Sequence, residues 1–110
     1  MNILRASGTL AALTVLLAAA PSPGPVVHIA DFAFHPQTIT VRAGTDVTFV
    51  NDDQEPHTVT AVDKSFDSQG LDLHQSWHHT FAKPGSYAYF CEVHPMMKGT
   101  VVVLPASGAP

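Results

Sequence analysis

Apolar and polar side chains alternate along most of the chain after residue 26, and no segment there has a convincing helical period. Within residues 46–51, for example, Val47 and Phe49 fall on one face and Thr48 falls on the other. A period of two residues is typical of strands that bury one face. The sequence therefore predicts an all-β domain.

Turn signals separate the β-like segments from one another. "AG" at 43–44 and "KPG" at 83–85 predict turns, and the polar, irregular stretch 63–75 predicts a loop. Short strands broken up in this way predict an antiparallel β-sandwich of about seven to eight strands. The predicted strands are residues 26–34, 38–41, 46–51, 57–62, 76–81, 86–90 and 99–104.

The N-terminus differs from the rest of the chain. Arg5 precedes an uncharged, apolar stretch at 6–20, which predicts a signal peptide or a retained N-terminal anchor over residues 1–20. Ala18 and Ala20 fit a cleavage signal, but Pro21 follows them and leaves the site of cleavage open. Residues 21–25, "PSPGP", are expected to be a Pro-rich linker, and residues 105–110 a flexible C-terminal tail.

Charge and cysteine content narrow the function classes. From Pro21 onward, four Lys/Arg stand against nine Asp/Glu, so the chain has no basic patch for nucleic acid. With one cysteine, no intramolecular disulfide can form. Cys91 is therefore a buried bystander, a reactive thiol or a metal ligand.

The run "CEVHPMM" at 91–97 favours the last of these interpretations. Cys91 ends one predicted strand and Gly99 begins the next, so the loop between them can fold His94 and Met97 back towards the sulfur. A second imidazole must come from elsewhere, and His57 stands at the start of another predicted strand. Two His, one Cys and a weak axial Met form the ligand set of blue-copper electron-transfer sites.

These residues resemble the cupredoxin family, and within it the amicyanin and small plastocyanin-like branch. The resemblance extends over about residues 26–104, the predicted cupredoxin domain, and implies a Greek-key β-sandwich. The segments that carry it are "VNDDQEPHTVTA" (50–61), "FDSQGL" (66–71) and "HTFAKPGSYAYFCEVHPMMKGTVVV" (79–103).

Carried over by position, the resemblance makes His57, Cys91 and His94 the equatorial ligands of one copper ion per chain. Met97 becomes the axial ligand, because amicyanin-like loops place this methionine three residues after the histidine. Plastocyanins proper place it five residues after, where this chain has Gly99.

Two neighbours of the ligands are expected to support the site. Many cupredoxins have Asn after the first histidine, where its side chain ties the ligand segments together, and this chain has Thr58. Thr58 could still make a shorter hydrogen bond of the same kind. Asn51 is expected to fix the loop that carries His57. The nearby acidic residues, Asp52, Asp53 and Glu55, are most simply a solvated turn.

The function that the resemblance implies is a carrier of single electrons between a redox donor and an acceptor, met transiently outside the cytoplasm. The chain would be periplasmic or extracellular, would be tethered if the N-terminal segment is retained, and is expected to be a monomer. His94 would be the electron port, with Pro95 and Met96 in the docking surface. The alternative is a copper storage or delivery protein without an electron-transfer role. With one ligand set, no enzyme activity is expected.

The remaining histidines have no such partners in the sequence. They are interpreted as surface or strand residues, although three of them cluster and a weak second metal site is conceivable there. They are His28, His35 and the cluster of His74, His78 and His79.

Overall fold

A computed structural model describes residues 24–106, and these residues form eight β-strands and no helix. The predicted signal peptide or anchor, most of the linker and most of the C-terminal tail lie outside the described residues. Within residues 24–106 there is no helix that could cross a membrane. The strands are β1 (Val26–Ala30), β2 (Ala33–His35), β3 (Thr38–Arg42), β4 (Thr45–Asn51), β5 (Thr60–Ala61), β6 (Ser76–Phe81), β7 (Gly85–Phe90) and β8 (Lys98–Leu104).

The strands form two four-stranded sheets, in the orders β2-β1-β4-β6 and β3-β8-β7-β5. The predicted sandwich is confirmed, but the sheets are mixed where the sequence analysis expected them to be antiparallel. β1 pairs in parallel with β4, and β3 pairs in parallel with β8. In each of these pairs, the chain forms other strands between the first partner and the second. The connection is therefore long enough for the two partners to run in the same direction. A hydrophobic pattern fixes which face of a strand is buried, but not the direction of its neighbour.

The predicted strand 26–34 is wrong as a single element. It breaks at Asp31 and Phe32, whose φ angles of 53° and 57° lie in the left-handed region. The chain turns there, and β1 and β2 pair as an antiparallel hairpin with His28 opposite His35. Non-glycine residues rarely adopt this conformation, and apolar composition alone gave no sign of the turn.

The segment 57–62 is also less regular than predicted. Only Thr60–Ala61 forms a strand, whereas His57 makes an isolated bridge to Leu71. Leu71 lies in the segment 63–75, which carries no named strand, as expected. His57 is thus held by a loop across from it, through backbone hydrogen bonds of 3.1 and 2.8 Å in the two directions.

The core consists of inward-facing residues of both sheets and of buried residues from the loops between the strands. Tyr89 is at its centre, with its ring in edge contact with Phe34 at 4.8 Å and Phe49 at 5.5 Å between centroids. Phe66 and the partly buried Trp77 extend this aromatic packing. Side chains of this size each contribute about 1.5–3 kcal/mol when fully buried, so the sandwich is a stable frame for its end loops.

Candidate metal centre

The loop between β7 and β8 folds back on itself at one end of the sandwich. The Cys91 N–H donates to the Met97 carbonyl at 3.1 Å, and the Met97 N–H donates to the His94 carbonyl at 2.9 Å. The predicted loop at 92–98 is therefore present, except that Lys98 already belongs to β8. These two hydrogen bonds fix the backbone on which the cysteine, the histidine and the methionine stand.

The side chains of Cys91, His57 and His94 converge. The Cys91 Sγ lies 3.7 Å from His57 Nδ1 and 3.9 Å from His94 Nδ1. All three donor atoms lie within 4.8 Å of one another. With bonds of about 2.0–2.1 Å to nitrogen and about 2.3 Å to sulfur, spread in a plane around a common centre, a sulfur donor and a nitrogen donor lie about 3.7–3.8 Å apart. The donor set therefore has the spacing and the chemistry that a soft-to-borderline metal ion requires.

Burial differs among the three donors. Cys91 and His57 are both 0% exposed, whereas His94 is only partly buried. The sulfur and one imidazole are thus shielded from water, and the second imidazole reaches the surface. A metal held here would have one edge of its coordination sphere near solvent.

The two adjacent methionines have opposite environments. Met97 is 3% exposed and packs in the same hydrophobic cluster as Cys91. Met96 is 85% exposed. Met97 is therefore the inward-facing member of the pair, as its expected axial role requires, although that role itself stays a prediction.

Thr58 connects the segment of His57 to the segment of Cys91. Its backbone N–H donates to the Cys91 Sγ at 3.3 Å. Its Oγ1 accepts the Glu92 N–H at 2.8 Å and contacts the Thr60 Oγ1 at 2.9 Å. The hydroxyl thus links the segment of His57 to the segment of Cys91, and its expected role in supporting a metal site stays a prediction.

Asn51 organises the turn that precedes His57. Its Nδ2 donates to the Glu55 carbonyl at 2.9 Å and to the Leu71 carbonyl at 2.7 Å. Its Oδ1 accepts the Asp53 N–H at 2.9 Å. Asn51 is 0% exposed, and these three bonds satisfy its amide while they hold the chain around His57.

Two residues near the site were missed by the sequence analysis. Asp53, interpreted as part of a solvated turn, accepts a hydrogen bond from His57 Nε2 at 2.8 Å. Phe32, assigned to a strand, lies with its ring edge-on to both His57 and His94. The position of Asp53, four residues before a candidate ligand, was the sequence signal that could have indicated its contact with His57. Nothing in the sequence indicated that Phe32 lies at the site.

The ionisation of Asp53 follows from its hydrogen bonds. Burial acts to raise its pKa, but the Phe32 N–H, the His57 ring and the Asp31 N–H together outweigh burial and lower the pKa below its ordinary value. Asp53 is therefore a carboxylate near neutral pH. Since a carboxylate only accepts hydrogen bonds, His57 Nε2 is the donor, and in the neutral imidazole the lone pair is then on Nδ1, the atom that lies 3.7 Å from the sulfur.

The other histidines do not converge on a second centre. His78 faces solvent and pairs with Asp46 at 3.1 Å, whereas its neighbour His79 points the other way and stacks on Trp77 at 5.4 Å. His28 pairs with Asp52 at 2.7 Å. Within the part of the chain that the structure describes, one group of three or more metal-ligating side chains is close enough to share an ion, and it is His57, Cys91 and His94.

The fold and the site together define the class of protein. A family model described as a cupredoxin-like domain matches residues 4–103, so the chain belongs to the cupredoxin family. Within that family its relatives are amicyanins and plastocyanins. It is 36% identical over 89 residues to amicyanin-alpha of Methylorubrum extorquens, which covers 76% of this chain and 75% of that protein.

Solved structures agree with this placement. An amicyanin variant in its reduced state is similar with a TM-score of 0.72 and 30% identity, over 79% of this chain and 88% of that one. A copper-containing nitrite reductase from Thermus scotoductus is similar with a TM-score of 0.71 and 31% identity. That match covers 77% of this chain but only 23% of the reductase, so the likeness concerns one part of a much larger enzyme.

Proposed function

We propose that this protein is an exported blue-copper carrier of single electrons. His57, Cys91 and His94 would hold one copper ion equatorially, and Met97 would be its axial ligand. The observation that carries the proposal is the convergence of one buried sulfur and two imidazole nitrogens within 4.8 Å. The amicyanin and plastocyanin relatives support the same assignment.

Copper bound by these donors would supply a Cu(II)/Cu(I) couple, since thiolate and thioether suit Cu(I) and imidazole suits both states. The chain's own contribution is to hold the donors still. Thr58 links the ligand segments, Asn51 fixes the turn before His57, and the Met97 carbonyl accepts the Cys91 N–H. Donors that cannot rearrange favour fast transfer, because little reorganisation accompanies the arrival of an electron.

The route for the electron would pass through His94. It is the partly exposed imidazole, whereas His57 is completely buried. Apolar side chains are exposed around it or next to it in the chain, with Val93 at 54%, Met96 at 85% and Phe32 at 49%. Together with the exposed Pro95, these residues would form a docking surface for partners that bind transiently.

The partners would be a donor and an acceptor protein outside the cytoplasm, and the carrier would act as a monomer. Export is supported by the basic start and apolar stretch before residue 21. Whether the N-terminal segment is removed or kept as a tether decides between a mobile and a membrane-held carrier. Periplasmic or extracellular location follows in either case.

We do not propose catalysis by this chain alone. A nitrite reductase contains a region similar to this chain, but this chain corresponds to under a quarter of it. A carrier is consistent with one ligand set close to one surface.

Redox cycling of the copper-loaded protein tests the proposal against copper storage or delivery. A carrier should be reduced and reoxidised reversibly by dyes and cytochromes, with fast self-exchange and no transfer of Cu(I) to a metal-free acceptor. A protein that gives up Cu(I) readily, or that cannot be cycled, would contradict the proposal and favour copper handling. Buried Cys91 and His57 favour the first outcome, because release of the ion would require the loop to open.

A further inference from the structure

The carboxylate of Asp53 lies behind the metal centre and accepts three hydrogen bonds. Its Oδ1 accepts the Asp31 N–H at 2.8 Å, and its Oδ2 accepts the Phe32 N–H at 2.9 Å and His57 Nε2 at 2.8 Å. We infer that Asp53 is a positioning residue that acts on both histidines of the centre, on His57 directly and on His94 through Phe32. The inference rests on the proposed function.

The turn at Asp31 and Phe32 is shaped for such a carboxylate. Both residues have positive φ, as the two central residues of a type I′ hairpin turn do, and their consecutive N–H groups both donate to the Asp53 carboxylate. A left-handed conformation at two adjacent non-glycine residues persists only where the surroundings hold it. The antiparallel pairing of β1 with β2 holds the turn, and Asp53 adds to that hold, because both N–H groups end on its oxygens.

The turn presents the ring of Phe32 to the two imidazoles. Its centroid lies 5.4 Å from that of His57 and 5.1 Å from that of His94, nearly perpendicular to each. The two imidazoles are themselves 5.0 Å apart. The three rings form a mutually packed set, so Phe32 restricts the orientations of both imidazoles. His94 stands on a surface loop, and its ring packs against both Phe32 and His57.

Asp53 therefore has two consequences for the donors. Through His57 Nε2 it selects the tautomer whose Nδ1 lone pair faces the Cys91 sulfur, at 3.7 Å. Through the Phe32 turn it limits the orientations of His94. Partners that orient a ligating histidine typically change metal affinity 10–100-fold when they are removed.

The chain offers a matched control at the next position. Asp52 is also a carboxylate bonded to a histidine, with its Oδ2 at 2.7 Å from His28 Nδ1, but His28 does not belong to the group of His57, Cys91 and His94. Asp52→Asn and Asp53→Asn each remove one negative charge from adjacent positions. Any difference between them reports on the contacts of Asp53 and not on its charge alone.

The first readout needs no metal. In NMR spectra of the metal-free protein, the wild type and Asp52→Asn should show His57 as the Nε2–H tautomer. They should also show a slowly exchanging Phe32 amide and proximity between the Phe32 and His94 rings. In Asp53→Asn the tautomers should mix, the Phe32 amide should exchange at least tenfold faster, and the ring proximity should be lost. Unchanged His57 and Phe32 signals in Asp53→Asn would overturn the inference.

The second readout is Cu(II) affinity by chelator competition. Asp53→Asn should weaken binding about 10–100-fold and Asp52→Asn less than threefold. Equal losses in the two variants would overturn the inference, because charge alone would explain them. If Asp53→Asn does not fold, Phe32→Leu tests the part of the inference that concerns His94. This variant should free the His94 ring and leave the His57 tautomer unchanged. A wild type that binds no Cu(II) but gives the expected metal-free spectra would reject the proposed function and not the role of Asp53.

Discussion

Replacement of Thr58 by valine should weaken the link between the two ligand segments without removing any ligand. Valine has nearly the shape of threonine but cannot accept the Glu92 N–H, which lies 2.8 Å from the Thr58 Oγ1. The hydroxyl contact to Thr60 at 2.9 Å is lost as well. The backbone N–H of residue 58 still donates to the Cys91 sulfur, so the hydrogen bond to the thiolate is unaffected.

The size of the effect follows from these contacts. Thr58 is 6% exposed, and a hydrogen bond in such a place contributes about 0.5–1.5 kcal/mol, while a buried donor without a partner costs about 1–3 kcal/mol. The Glu92 N–H is only partly buried, so water replaces some of the loss. We expect Thr58→Val to lower the free energy of unfolding of the metal-free protein by about 1–2 kcal/mol. For a domain of this size that corresponds to roughly 4–16 °C in Tm.

Thermal and urea unfolding of the metal-free protein, followed by circular dichroism, measures this loss. Thr58→Ser keeps the hydroxyl and is the control, and it should retain most of the stability. The position of the Cu(II) charge-transfer band should be the same in all three proteins, because the N–H to the sulfur is kept. A Thr58→Val variant within 0.5 kcal/mol of the wild type would refute the argument that the hydroxyl links the two segments.

Three further outcomes are expected. Met97→Gln should shift the reduction potential and the Cu(II) spectrum strongly. Met96→Gln, at an 85% exposed position, should leave the spectrum unchanged and slow electron exchange with partners. The reverse result would place the axial ligand one residue away. Burial lowers the pKa of His79, with Asp46 opposing in part, so the unfolded chain takes up its proton first as the pH falls below about 6.5. Unfolding titrations should therefore show that the free energy of unfolding falls more between pH 7.5 and pH 5.5 for the wild type than for His79→Phe. Equal decreases in the two proteins would contradict this. Gly99→Ala should lower the free energy of unfolding in urea by about 1–3 kcal/mol, because the added Cβ would overlap the buried Tyr89 ring. A decrease of less than 0.5 kcal/mol would show that the ring moves freely.

Much of the fold follows from the alternation of side chains. The period of two residues located β3, β4, β6, β7 and β8 within one residue or so at each end. It could not locate the turn at Asp31 and Phe32, whose two N–H groups donate to a carboxylate more than 20 residues away in the chain. It also could not give the parallel pairing of β1 with β4, which is decided by the path of the intervening chain between the sheets.

Part of the candidate site could likewise be predicted from the sequence, and part could not. The spacing from Cys91 to His94 and Met97 is local, so the sequence carries it directly. His57 was found because a family motif surrounds it. Asp53 and Phe32 are brought together by a contact between loops that are distant in the chain. From residue type alone, Asp53 is interpreted as part of an acidic turn and Phe32 as an ordinary apolar residue.

The central claim is that His57, Cys91 and His94 hold one copper ion in a blue-copper site. Titration of the purified protein with Cu(II), followed by visible and EPR spectroscopy, tests it most directly. We predict an intense blue thiolate-to-copper charge-transfer band that saturates at one equivalent and is lost in Cys91→Ser. A pale, tetragonal Cu(II) signal, or a spectrum that is unchanged in Cys91→Ser, would contradict it.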